Sequence, residues 1–395
     1  MNQEMISVQE AKQLILQNSA NTNIAEVTLQ EANGCRLAET IYAPSDTPPF
    51  DQSAMDGYAF SFDSWDRKSA LIISGEVRAG SISPEIAQSG YAIRIFTGAP
   101  MPPGTDTVVI QEKIIVKDNT IIVTDEKLAK GSNVRLRGSQ TKEGEAAMQA
   151  GQVITAAGIS FLAGIGINTV KIFSKPTVSI IVTGTELVMP GEQSGEGKIV
   201  ESNSPGLVAA LRQIHISPAA VIKVDDDEAE IVKAIRNQLQ QDIIILTGGI
   251  SEGDYDFVAS ALLACGVKKI FHKVKQKPGK PFYFGSIKKT LVFALPGNPA
   301  AVLTCFYEYI VPAISHYTKL DYFKKLMLPL TGDYQKRKGF TYFLKGKTRD
   351  DAVSVLNNQE SYKMNSFALA DCLVELDEEK EFYKKGDRVS VNMIL

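Results

Sequence analysis

The sequence predicts a multidomain α/β protein. It has a central doubly wound α/β domain, a mostly β insertion module, a small discontinuous N-terminal linking domain and a C-terminal β-barrel. Three observations carry this reading. Between residues 176 and 320, three apolar runs each end in a glycine-rich turn: TVSIIVTGTEL (177–187), DIIILTGGISEGDYDF (242–257) and LVFALPGNPAAV (291–302). Each run is short enough for a buried strand and gives way to a helical pattern. On either side, residues 56–140 and those after 325 read as short strands. The length of 395 residues exceeds one ordinary core.

The elements follow in order. Ser7 and Glu10 have capping-box spacing, with Val8, Ala11, Leu14 and Ile15 on one helical face. APSDTPPFDQSA (43–54) is a proline-rich break. The β-like runs GYAF, SALIISGEV, YAIRIFTGA, DTVVIQEKIIV and NTIIVTD then fill residues 46–140 as an insertion. Residues 141–175 resemble a small helix and strand. They are expected to pack back against the first helix and form one linking and dimerisation domain with residues 1–45. The α/β domain occupies residues 176–325. Ser204-Pro205, Asp227 with Glu230, and Asn298-Pro299 mark its helix starts. Such alternation predicts a parallel sheet with helices on both faces. YFLKGKT, AVSVL, LVELD and DRVSVNMIL in residues 326–395 suit a small barrel.

Composition narrows the function. A net charge of −3 argues against nucleic acid as the main partner. Cys35, Cys265, Cys305 and Cys372 are scattered, without zinc or disulfide spacing. The first residues, MNQEMISVQEAKQ, have no apolar signal core, and no apolar stretch is long enough to span a bilayer. A cytoplasmic location without membrane contact is the expectation.

In a parallel sheet, turns of the kind described lie at the carboxyl ends of the strands, where ligands bind. Glu186 lies two residues beyond Gly184, Asp225, Asp226 and Asp227 follow the run AAVIKV, and Asp254 and Asp256 follow TGGIS. Carboxylates gathered from strand ends suit Mg²⁺, which takes a few of them together with substrate phosphates. The plainer readings are a helix cap for Asp227 and a solvated turn for Asp254. Gly248, Gly249 and Ser251 let backbone amides approach an anion, although glycine also serves ordinary turns. Lys277 and Lys280 sit in KPGKP, where two prolines fix the backbone around two ammonium groups; Lys273 and Lys275 read as a solvated loop. His215, His272 and His316 have no ligand spacing, and no P-loop, G-x-G-x-x-G or G-x-S-x-G motif is present. The residues alone thus reach a Mg²⁺-assisted site for a phosphorylated or nucleotide-bearing ligand.

Six motifs in order add a resemblance: PPFDQSAMDGYAF (48–60), FTGAPMPPGTDTVV (96–109), TGTEL, TGGISEGDYDF, KPGKPFYFG and LPGNPAAV. Together they closely resemble the molybdopterin molybdenumtransferase family, which includes MoeA and the E domain of gephyrin. The resemblance implies insertion of molybdate into adenylated molybdopterin with Mg²⁺-dependent release of AMP. It implies a homodimer with a shared cleft, and dealings with molybdopterin adenylyltransferase and cofactor-accepting enzymes.

Catalytic roles would fall to Asp56, Thr97, Glu186 and Asp256, with Asp56 and Thr97 supplied by a second subunit. Metal ligands would come from Glu186, from Asp225 or Asp226, and from Asp256. Substrate contacts would come from Thr183, Gly184, Gly248, Gly249, Ser251, Lys277, Lys280, Pro296, Asn298 and Pro299, and from Ser366 lining the cleft. Two departures stand out. Ser139 and Gln140 replace an acidic pair usual after the Arg-rich stretch, where Arg135, Arg137 and Gly138 still fit, and QESYKMNSFALAD lacks a common Gly-Ser start. A molybdopterin adenylyltransferase would need only residues 176–320, and a non-catalytic pterin-binding scaffold would keep the fold alone.

Overall fold

The computed structural model describes residues 5–19, 23–81, 86–193, 195–250 and 257–395. The chain forms two compact units, residues 1–25 with 173–395, and residues 26–172.

The larger unit is built on a six-stranded sheet. Ala220–Val224, Val178–Thr183, Ile243–Thr247 and Thr290–Leu295 lie side by side in that order, all parallel. Tyr283–Ile287 and Lys268–His272 extend the sheet antiparallel. The wholly parallel sheet expected from the alternation is therefore corrected at this edge. Only Lys288 and Lys289 join Tyr283–Ile287 to the next strand, and two residues can close a hairpin but cannot carry a crossover helix. Both faces of the three inner parallel strands are covered, which explains their fully buried, largely apolar runs. Ile180, Val182, Ile243, Ile245 and Phe293 face one core with the helices Asn203–Gln213 and Val311–Thr318. Ile181, Ile244, Leu246, Val292 and Ala294 face the other with Glu228–Arg236 and Phe257–Ala264.

Helix Val8–Asn18 starts at Ser7, whose hydroxyl accepts from the Glu10 amide, as the capping spacing predicts. Its buried face (Val8, Ala11, Ile15) belongs to the first of these cores. The segment expected to pack on it instead packs on residues 27–43. Ile154, Leu162, Ile165, Val170 and Ile172 share a core with Leu29, Leu37 and Ile41.

In the C-terminal region, Gln276–Lys277, Thr341–Arg349, Cys372–Leu376, Arg388–Met393 and Lys325–Pro329 form a second sheet, with Ala352–Val355 paired to Thr341–Arg349. Leu330 bridges to Val353. Its first strand is part of KPGKP, so this motif is stitched to the C-terminal sheet. The smaller unit carries a third six-stranded sheet, ordered Thr107–Ile110, Gly57–Phe60, Tyr91–Ile95, Leu71–Val77, Thr120–Val123, Ile114–Lys117. This is the mostly β module. Among the described residues no helix is long and apolar enough to cross a membrane.

Candidate active site

Register places the site. Thr183 pairs with Val224, Val182 with Thr247, and Thr247 with Leu295, so the strands end nearly side by side. The residues that follow, Gly184, Asp225, Gly248 and Pro296, leave the sheet along one edge. A cavity of about 660 Å³ opens there. Thr183, Gly184, Glu186, Asp226, Gly248, Gly249, Pro296, Asn298 and Pro299, all expected from the sequence, line it. Gly248 is required by close approach as well as by its φ of +91°: a Cβ there would stand 2.4 Å from the Thr183 carbonyl oxygen.

The three aspartates after Val224 separate cleanly. Asp227 caps helix Glu228–Arg236, accepting from the Glu230 amide. Asp226 is tied to the TGTEL turn: its carboxylate accepts from the Thr185 amide and its own amide donates to the Thr185 hydroxyl, both at 3.1 Å. It lines the cavity with Glu186. Asp225 does not line it; its carboxylate stands 3.8 Å from the Lys223 ammonium, well exposed. A third carboxylate at the cavity was not foreseen. Glu201 is buried, and both its oxygens are used by Ser204, at 2.8 Å from the amide and 2.6 Å from the hydroxyl. This bond also corrects a helix start. Helix Asn203–Gln213 begins before Ser204, which is no cap; Glu201 supplies the capping acceptor. The Asn298-Pro299 start holds, but the Asn298 side chain makes no cap bond; its amide donates to the Ser361 hydroxyl at 3.0 Å.

Ser366 is not at the cavity. It is buried, and its hydroxyl donates to the Asn358 and Lys363 carbonyls at 2.7 and 3.2 Å. The same two carbonyls and that of Glu360 receive the buried Lys345 ammonium at 2.7–3.2 Å. Burial pulls the pKa of this ammonium down, against the opposing pull of Glu360. Ser366 and Lys345 thus hold from beneath the loop that brings Tyr362 to the cavity. Tyr362 was missed because nothing in QESYKMNS distinguishes a lining tyrosine from a surface one.

Lys277 lines a neighbouring hollow of about 260 Å³ with Tyr334, Tyr342 and residues 359–361. Its ammonium lies 5.5 Å from the Phe340 and Tyr342 ring centroids. Lys280 is exposed and lines neither space, although the next residue, Pro281, lines the larger one. Ser251, Asp254 and Asp256 lie outside the described residues. In the smaller unit, Asp56 and Thr97 are brought together. The Asp56 carboxylate accepts from the Thr97 amide and hydroxyl, each at 2.8 Å. The amide bond first, then the hydroxyl, holds the Asp56 carboxyl below its ordinary range. At the Ser139-Gln140 departure, Gln140 donates from its backbone to Thr47, and Arg137 pairs with Asp46 at 2.6 Å.

Comparison with known proteins covers the whole chain. Residues 6–166 match the MoeA N-terminal region (domain I and II), residues 179–316 a probable molybdopterin binding domain, and residues 327–394 the MoeA C-terminal region (domain IV). The molybdopterin molybdenumtransferase of Haemophilus influenzae is 31% identical over 98% of both chains. That of Staphylococcus aureus strain COL is 31% identical over 98% of this chain and 95% of its own. The structure of the molybdopterin biosynthesis MoeA protein from Pyrococcus horikosii superposes with a TM-score of 0.83 at 28% identity, covering 99% of this chain and 100% of that one. A likeness that spans both flanking regions as well as the α/β domain identifies the chain as a member of the molybdopterin molybdenumtransferase (MoeA) family.

Proposed function

We propose that this protein inserts molybdate into adenylated molybdopterin and releases AMP. The observation that carries the reading is the meeting of Glu186 and Asp226 with the Gly248-Gly249 and Pro296–Pro299 turns around one cavity. Phosphates suit the glycine turns, where the missing side chain lets a ligand approach the backbone closely, although the Gly184 and Gly248 amides themselves donate to the Val224 and Leu295 carbonyls. Lys277 and Lys280 supply positive charge for an oxyanion such as molybdate, through charge-assisted hydrogen bonds.

The donor set fits Mg²⁺. Among the described residues no three His, Cys, Asp or Glu side chains form a metal cage, and Glu201 is spent on Ser204. That leaves two carboxylates lining the cavity, and Mg²⁺ usually takes one or two carboxylates plus substrate phosphates and water. Glu186 and Asp226 would hold the ion, with Asp256 as the further ligand implied by the family resemblance. When bound it supplies positive charge against the bridging phosphates as the phosphoanhydride breaks. The chain's own contribution is geometric. The TGTEL turn and Asp226 fix each other through Thr185, so the two carboxylates are presented as a unit. Asp56, kept ionised by Thr97, completes the cleft from a second copy of the chain in a cytoplasmic homodimer.

The test is AMP release from protein loaded with adenylated molybdopterin and Mg²⁺, with and without molybdate. Molybdate-dependent release is expected, and Glu186→Gln or Asp226→Asn should slow it on the order of 10²-fold or more with unchanged thermal unfolding. Binding without release in the wild-type protein would favour a pterin-binding scaffold. Normal turnover in both variants would sink the metal assignment.

A further inference from the structure

We propose that Gln276 is a positioning residue that sets the Lys277–Lys280 turn for oxyanion capture. The inference rests on the reading of those two lysines as the molybdate-binding cations. Gln276 is wholly buried, an unusual place for a primary amide. Its Nε2 donates to both inward carbonyls of the turn, Pro278 at 3.0 Å and Gly279 at 3.1 Å, and lies 3.5 Å from the Cys305 Sγ. Its Oε1 accepts from the hydroxyl of Tyr309, which is also fully buried. Every polar atom of the amide is used, and Gly279, Cys305 and Tyr309 among its partners are buried.

The turn has few other means of holding its shape. Pro278 and Pro281 bring no backbone donor. Gln276 and Lys277 form only a two-residue strand against Thr341 and Tyr342, and the Val274 amide closes the base on the Lys280 carbonyl at 3.0 Å. Gly279 has a φ of +88°, and a Cβ there would stand 2.8 Å from both the Gln276 Nε2 and the Cys305 Sγ. The backbone therefore lies directly on the amide. Tyr309 ties that amide to the π-helical stretch Phe306–Ile310, in the middle of the long helical segment that begins at the cavity with Pro299. Burial holds the Tyr309 phenol well above its ordinary range, so it remains a donor across neutral pH. Ligand turn and cavity helix are thus set by one hydrogen-bonded hub.

The experiment varies molybdate at saturating adenylated molybdopterin and Mg²⁺, using full-length protein. Gln276→Met keeps the volume and removes both donors and the acceptor. It should raise the KM for molybdate about tenfold, with kcat and the affinity for adenylated molybdopterin within about twofold. Tyr309→Phe removes only the hydroxyl and should raise the same KM by about threefold; it also serves if the methionine variant does not fold. Lys277→Met and Lys280→Met are the controls. If they raise the KM while Gln276→Met and Tyr309→Phe lower only the melting temperature, the positioning role is overturned and the lysine reading stands. If the lysine variants leave molybdate dependence unchanged, the reading beneath the inference fails, and the inference with it.

Discussion

Two regions that face the same cavity are built in opposite ways. At the edge of the α/β sheet, backbone register does the positioning. Parallel strands end together, glycines turn the chain, and Glu186 and Asp226 arrive at the cavity on exposed turns. In the C-terminal loop of residues 358–363 there is no such ladder. The buried Lys345 and Ser366 from below and the half-buried Gln359 from the side gather the carbonyls of the loop and its flanks, and Tyr362 is presented by that scaffold. The difference teaches where stability and chemistry separate. A change at the sheet edge should cost catalysis and spare the fold, whereas a change beneath the loop should cost both.

The largest stability effect should come from Lys345→Met. Three carbonyls lose an ammonium donor in a buried setting, a loss of roughly 2–4 kcal/mol, read as a lowered urea midpoint at unchanged m-value. Because the loop also carries Tyr362 and Ser361, binding of adenylated molybdopterin should weaken in the same variant. A destabilised protein that binds normally would break the claim that Lys345 shapes the cavity wall.

A second, half-buried charge separates fold from site more sharply. Lys12 pairs with Glu308 at 2.8 Å and Glu375 at 3.4 Å. Burial pulls the Lys12 pKa down, but the attraction of Glu308 and then Glu375 outweighs it, so the pKa is raised. Burial pushes the Glu375 carboxyl up, and Lys12 followed by Lys325 overcomes this, so it is lowered. The sign follows. The Lys12 contribution is complete below pH 10.5 and fades as pH rises through its raised folded value. The Glu375 contribution is complete above pH 4.5 and is lost as pH falls through its lowered folded value. Lys12→Met should therefore cost about 2–3 kcal/mol at pH 7, with the gap to wild type narrowing below pH 4.5. Molybdate-dependent turnover at 25 °C should stay within about twofold, in contrast with Lys345→Met.

This contrast also explains what the sequence could reveal. Glycine turns after apolar runs state their geometry locally, so Gly184, Gly248 and the Pro296–Pro299 turn were legible without a structure. The capping pairs Ser7–Glu10 and Asp227–Glu230 were legible for the same reason, since donor and acceptor are three residues apart. The roles of Ser366, Lys345 and Gln276 were not. Gln276 meets Tyr309 across 33 residues and Lys345 meets the loop across 13 to 18, and no periodicity encodes such a bond. The hairpin edge of the sheet was hidden by strands whose apolar content is the same whether they run parallel or antiparallel. Ser204 misled because serine before proline is a fair cap signal, and a carboxylate three residues earlier took the task instead.

The smallest predicted effect is the most discriminating for the sheet edge. Asp225 and Asp226 are adjacent and chemically identical, and the sequence left either as the metal ligand. The structure gives them different surroundings. Asp226 is locked to Thr185 and lines the cavity with Glu186, whereas Asp225 faces solvent beside Lys223. An exposed pair at 3.8 Å contributes between nothing and about 1 kcal/mol. Asp225→Asn should thus leave unfolding within about 0.5 kcal/mol of wild type and AMP release within about twofold, measured beside Asp226→Asn in the same assay. If Asp225→Asn instead slowed release as strongly as Asp226→Asn, the proposed ion would have to draw on both carboxylates. The turn after Val224 would then have to reorganise when substrate binds, and backbone register alone would no longer account for the site.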